Sequence, residues 1–152
     1  MRKQRVFAPS NVIILSLLIL LLVFSAVFSI TNMKAKARDA NRLSDINILQ
    51  KIFDDVYGIY RAYDAVDCEV NQAVSACQSE KLLRLLPSLS NMKDPSKVLA
   101  ACVAPCLSSC NYSFEILRRN EYSILFRLAK GVSGYEKGCY RLTEKGIVNA
   151  EY

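Results

Sequence analysis

Residues 12–63 read VIILSLLILLLVFSAVFSITNMKAKARDANRLSDINILQKIFDDVYGIYRAY, and the way this stretch divides decides the fold. Its first 19 residues, Val12 to Ile30, contain no charge and no Pro. The run passes into polar sequence with no Gly or Pro before Gly58. A hydrocarbon core about 30 Å thick takes roughly 20 helical residues to cross. Only a helix pairs every backbone N–H and C=O of such a span internally. Residues 12–30 are therefore expected to be a transmembrane helix, which Phe7 and Ala8 extend beyond Pro9. The competing reading is a cleaved signal peptide, with Ser25, Ala26 and Ser29 as small residues near a cleavage point. The run is longer than the usual apolar core of such peptides, about 7–15 residues. A lipoprotein anchor is disfavoured because no Cys lies near the segment.

The second half of the stretch has a different pattern. Thr31 to Arg42, TNMKAKARDANR, is a polar collar rich in good helix formers, so the helix is expected to continue through it. Lys34 and Lys36 can snorkel toward lipid phosphates. Beyond the collar, Ile46, Leu49, Phe53, Val56, Tyr60 and Tyr63 recur at spacings of three and four, which puts them on one helical face. Asp45, Asn47, Lys51, Asp54, Asp55 and Arg61 lie elsewhere around the helix. The stripe spans only about two and a half heptads, so it reads as packing against the chain's own sheet in preference to a coiled-coil seam. On the other side of the apolar run, residues 1–11 form a basic tail with Arg2, Lys3 and Arg5, expected to lie on anionic head groups in the cytoplasm. Pro9, Ser10 and Asn11 suit a helix start.

Composition bounds the remainder. The chain has 152 residues and a net charge of +6, to which Arg2, Lys3 and Arg5 contribute half. Setting the anchor aside leaves roughly 120 residues (31–152), enough for one small head domain. Its charges are mixed in sign, which argues against a nucleic-acid surface. Six Cys and no His exclude His-based triads and mixed zinc sites. Cys68, Cys77, Cys102, Cys106, Cys110 and Cys139 all follow the apolar run, and an even set in a small domain points to disulfides in an oxidising compartment. Basic residues flank the run on both sides, so charge alone does not orient it. The cysteines favour a cytoplasmic N-terminus and an extracytoplasmic head. That makes the chain a single-pass protein of the inner (cytoplasmic) membrane.

Cys102, Cys106 and Cys110 are spaced by four and would share one face of a helix, offering three thiolates to a metal. The spacing is not that of common zinc sites, and Pro105 interrupts a helix, so disulfides are the reading adopted and no metal is expected. Many pairings remain open; the one expected joins Cys68 to Cys77 and Cys139 to one of Cys102, Cys106 and Cys110. Asp54-Asp55 and Asp64 with Asp67 are carboxylate pairs on a solvated surface. Asp64, Asp67 and Glu69 in one loop offer carboxylates to calcium, but the ion takes about 6–8 oxygens and the spacing is not that of a recognised calcium loop, so no calcium site is expected. There is no Gly-rich phosphate loop and no Ser nucleophile motif. Neither a catalytic residue nor a cofactor site is therefore expected, and no small-molecule substrate.

The fold class expected is α+β. Asp64 to Ser79 reads as a loop with a turn of helix around Glu69–Ala76, Glu80 to Leu89 as a short helix broken by Pro87, and Asp94-Pro95 as a turn. Residues 97–110 have no assignable element. Tyr112, Phe114 and Ile116, then Tyr122, Ile124, Phe126 and Leu128, alternate with their neighbours as half-buried strands do. Cys139 to Thr143 makes a third strand, and Gly146 turns the chain into Ile147 and Val148. A meander of this size needs a partner on its apolar face, and the tyrosine-bearing helix stripe supplies one.

These residues together resemble a family. A membrane helix continuing as an amphipathic helix, then a loop and a small antiparallel sheet, resembles type IV pilins and the pseudopilins of type II secretion. The resemblance is carried by KARDANRLSDINILQKIFDDVYGIY at 36–60, by Asp94-Pro95 after a Leu-rich helix, and by NEYSILFRLAKG at 120–131 with GCYRLTEKGIV at 138–148. It implies a non-enzymatic, pilin-like subunit whose partners are the lipid bilayer and the helices of other pilin-like subunits. The chain departs from the family at one place. Pilin precursors carry a Gly before the cleavage point and a Glu early in the apolar run, whereas this chain has FAPSNVIILSLLIL. The departure implies a minor or tip subunit, or a solitary anchored binding module that stays out of a filament.

Overall fold

The computed structural model describes residues 9–150, with side chains from residue 12 onward. The basic tail with Arg2, Lys3 and Arg5, the extension by Phe7 and Ala8, and the capping side chains of Ser10 and Asn11 lie outside the described residues. Helix α1 spans Pro9–Tyr60. The chain divides into two compact units, Met1–Lys34 and Ala35–Tyr152, so that the boundary falls within the polar collar. Each is described by itself.

In the second unit, the later part of α1 packs on a four-stranded antiparallel sheet. The strands are β1 (Ser113–Leu117), β2 (Tyr122–Leu128), β3 (Gly138–Thr143) and β4 (Gly146–Asn149), each paired with the next in sequence. The fold is therefore α+β, and the closing apolar pair Ile147 and Val148 belongs to a fourth strand. Gly146 makes that strand possible: it turns the chain at φ +104, a region L side chains rarely adopt. Thr143 Oγ1 closes the same turn by donating to the Gly146 carbonyl at 2.9 Å.

Ile46, Leu49, Phe53 and Val56 are fully buried. They meet Tyr112, Phe114, Tyr122, Ile124, Phe126 and Leu142 in one core. Phe53 is central, stacked on Tyr122 at 4.6 Å between ring centroids and tilted against Phe114 at 5.9 Å. The helix does not carry the whole stripe. It ends at Tyr60, where Arg61 takes a left-handed conformation (φ 57) and its N–H closes on the Tyr57 carbonyl. Tyr60 is left half-buried at the edge, 5.6 Å beneath the Lys81 ammonium. Tyr63 instead begins a 3-10 turn, Tyr63–Val66, and reaches the same core from beyond the helix end, 4.7 Å from the Tyr122 ring.

Helix α2 is shorter than expected, Glu80–Leu85, with the Ser79 hydroxyl accepting from the Leu82 N–H. Its end follows from Pro87, which forces the residue before it out of helical geometry: Leu86 sits at φ −134, ψ 82. The chain resumes as a 3-10 turn at Leu89–Asn91. The unassigned stretch 97–110 contains no helix or strand. It covers the other face of the sheet. Leu125 projects there, opposite Ile124 and Phe126, and is buried with Cys102, Cys106, Cys110 and Cys139.

Candidate functional site: an apolar anchor and a buried charge clasp

In the first unit, the surface of residues 12–30 is continuous hydrocarbon. Leu20, Leu21, Leu22 and Phe24 are 67–73% exposed, and the most apolar window has a mean hydropathy of 3.0 with none of it buried. Several hydroxyls along this part of the helix are turned back onto its own backbone. Ser16, Ser25 and Thr31 donate to the carbonyls of Ile13, Leu22 and Phe28 at 2.8–2.9 Å, so each is satisfied within its own helix. The helix is long and apolar enough to cross a membrane.

The second unit contains a feature that periodicity did not expose. Asp39 and Arg42, both in the collar, are buried at 0% and 2% exposure, as is Asp94 at 2%. A turn of helix separates the first two, so their side chains meet on one face. Arg42 Nη1 donates to Asp39 Oδ1. Its Nε and Nη2 donate to the two Asp94 oxygens at 2.6 and 2.9 Å, the two-pronged geometry that suits guanidinium and carboxylate. Nη2 also reaches the Ser96 hydroxyl at 2.6 Å. Asp39 accepts three backbone N–H groups, from Ala129, Lys130 and Gly131, at 2.9, 2.7 and 3.0 Å. The cluster thus fastens α1 to the turn after β2 and to the Asp94-Pro95 turn. Asn111 extends it: its Oδ1 accepts from the N–H groups of Asp94 and Tyr112.

Electrostatics follow the contacts. Burial alone would raise the pKa of Asp39, but the N–H groups of Ala129 and Lys130 and the Arg42 guanidinium outweigh it and hold the pKa below the ordinary value. Asp94 is lowered in the same way, against burial, by Arg42 and Ser96. Arg42 is raised although burial opposes it, because Asp94 and Asp39 both stabilise its charge. One turn further along α1, Asp45 shows the opposite balance. Burial raises its pKa more than the 2.9 Å hydrogen bond donated by the Tyr112 hydroxyl lowers it. Buried charges joined in this way fix geometry, and Asp39, Arg42 and Asp94 spend their hydrogen bonds on one another, on Ser96 and on backbone N–H groups.

The cysteines are all paired: Cys68 with Cys77, Cys102 with Cys110, and Cys106 with Cys139. Among the described residues, the one group of metal-type ligands brought together is Cys102, Cys106 and Cys110, with their sulfurs within 4.8 Å of one another, and these are the disulfide sulfurs. Asp64, Asp67 and Glu69 do not converge as calcium ligands; they are exposed, and Asp67 faces Lys81 at 3.4 Å. Asp54 and Asp55 are exposed on the outer side of α1. The sequence signal for the charge cluster was present in ARDANR and Asp94-Pro95, but a charge on a helix reads as a solvated one until its partner is placed beside it. Comparison with protein families, with curated proteins and with solved structures gives no match in any of the three.

Proposed function

We propose that this chain is a membrane-anchored, non-enzymatic structural subunit of the pilin or pseudopilin type, working in a type II secretion or type IV pilus-type assembly. The observation that carries the reading is the bare hydrocarbon surface of residues 12–30 on the same helix that serves as the spine of the α+β head. Water does not tolerate such a surface, and lipid or the like helices of neighbouring subunits would cover it. Three disulfides in so small a head support an oxidising, extracytoplasmic location, with the N-terminus in the cytoplasm. The bilayer and other pilin-like helices are the partners. Site-directed crosslinking along the outer surface of residues 12–30 in native membranes tests the proposal. Crosslinks to other pilin-type subunits are expected, and recovery of uncrosslinked monomer alone counts against assembly.

One observation favours a second reading. FAPSNVIILSLLIL has neither the Gly nor the Glu of processed pilins. In that reading, the chain is a solitary anchored binding module whose α+β head faces outward alone. The mass of the native N-terminus separates the two. A chain that still begins at Met1 favours the solitary module, and a processed one favours the assembly.

A further inference from the structure

Two of the three disulfides share one buried cluster on the sheet face away from α1. Cys102–Cys110 closes the loop upon itself, and Cys106–Cys139 is the bridge that joins this loop to β3. The sulfurs of Cys102, Cys106 and Cys110 lie within 4.8 Å of one another. Thiol–disulfide exchange needs an attacking thiolate close to a disulfide sulfur, and these sulfurs are already neighbours. All four sulfurs are buried beside Leu125, so exchange among them is shielded from bulk solvent.

We propose that Cys102, Cys106, Cys110 and Cys139 form one exchangeable set, with Cys106 as the switching residue that straps the 97–110 loop to the sheet or releases it. Bonded to Cys139, Cys106 holds the loop on β3. An external dithiol of the thiol-oxidoreductase class, entering by local opening of the loop, cuts this bridge. Two electrons pass to Cys106 and Cys139, and the dithiol leaves as its own disulfide. The Cys106 thiolate then attacks one sulfur of Cys102–Cys110. A Cys106–Cys102 or Cys106–Cys110 bond forms, the old bond breaks, and the expelled Cys110 or Cys102 thiolate takes up the proton that Cys106 gave up. This second step is electron-neutral. It leaves the loop closed on itself and no longer tied covalently to β3. Reoxidation by a disulfide-carrying oxidant restores the strap. The loop's exposed Leu99, Val103 and Leu107 are then carried on a segment whose attachment depends on redox state.

The test is thiol mapping of the full chain in detergent micelles. In Cys139→Ser, Cys106 loses its partner. Rapid alkylation, followed by fragmentation of the 98–118 peptide, should place the label on Cys102 or Cys110 in a large fraction of molecules. Label confined to Cys106 overturns the proposal. In Cys106→Ser the single label should fall on Cys139, and label on Cys102 or Cys110 there removes Cys106 from the switching role. The wild-type chain guards against misfolding of either variant. It is titrated with dithiothreitol and quenched when the set has lost one bridge. Free thiols at Cys139 together with Cys102 or Cys110 are expected. Thiols that stay paired as Cys106 with Cys139, or as Cys102 with Cys110, overturn it.

Discussion

Arg42 is the residue on which three segments converge, and its loss is costly for a definite reason. Arg42→Met leaves Asp39 and Asp94 buried without their counter-charge, and breaking such a pair from one side costs about 3–5 kcal/mol. Chemical denaturation of the detergent-solubilised chain checks this. The same contacts set the acid response. Asp39 and Asp94 have folded-state pKa values below their ordinary ones. Their contribution is therefore complete above the unfolded-chain value, about 3.9, and disappears as pH falls through the lower native values. Stability is expected to decline as pH falls below that unfolded-chain value, read by denaturant titrations at a series of acid pH values. Asp45 has the reverse sign. Its pKa is raised, so its contribution falls as pH rises through the raised value. Asp45→Asn is accordingly expected to cost less at pH 7 than Asp39→Asn, and equal losses would contradict the assignment. Gly131 completes the clasp at φ +83, where an added Cβ would stand 2.4 Å from the Tyr135 carbonyl oxygen. Gly131→Ala should destabilise by more than the ordinary glycine-to-alanine difference of about 1 kcal/mol, read by thermal unfolding.

At the scale of elements, α1 is read best where burial follows its period. Phe53 is fully buried among aromatic rings, so Phe53→Ala should cost about 3–5 kcal/mol. Tyr60→Ala should cost clearly less, because Tyr60 stands at the helix edge; parallel denaturant titrations of the two variants decide. The stripe Ile46, Leu49, Phe53 and Val56 was legible because spacings of three and four have one geometric meaning on a helix. Tyr63 fits the same spacing yet lies beyond the helix, since Arg61 turns the chain and a nearby aromatic can refill the core from a different direction. The strands were legible from alternation only in part: β1 changes phase at a bulge between Phe114 and Ile116, which turns Leu117 in place of Ile116 toward the core, and Ser123 is buried at an outward position of β2. Leu125 sits at a position read as outward, and it is buried because the 97–110 loop roofs that face. Nothing local in residues 97–110 announces such a roof. Its backbone is held by Cys106–Cys139, by the Ser113 hydroxyl donating to the Cys102 carbonyl at 2.6 Å, and by pairing with Asn111.

At the scale of the molecule, the proposed anchoring assigns the two units to different solvents. The Ala35–Tyr152 unit has its own core and its own disulfides. Expressed without residues 1–34 under oxidising conditions, it is expected to be soluble, with the near-ultraviolet circular dichroism of packed aromatics. The full chain is expected to resist extraction from membranes by alkaline carbonate, as a spanning helix does and a surface-bound one does not. A soluble full chain would defeat the anchor reading.

The sequence by itself determined the apolar run of 12–30, the amphipathic stripe after it, the strand-forming tail and the disulfide character of the head. Each is a repeat or a composition, and solvent acts on those directly: hydrocarbon leaves water, and a helix or strand exposes its pattern at a fixed period. Tertiary structure alone decided that Asp39, Arg42 and Asp94 are buried together, that Leu125 is covered, and that Cys106 is the cysteine tied to Cys139. These depend on residues tens of positions apart meeting in space. A charge or a thiol takes its role from the partner beside it, and the order of residues along the chain does not name that partner.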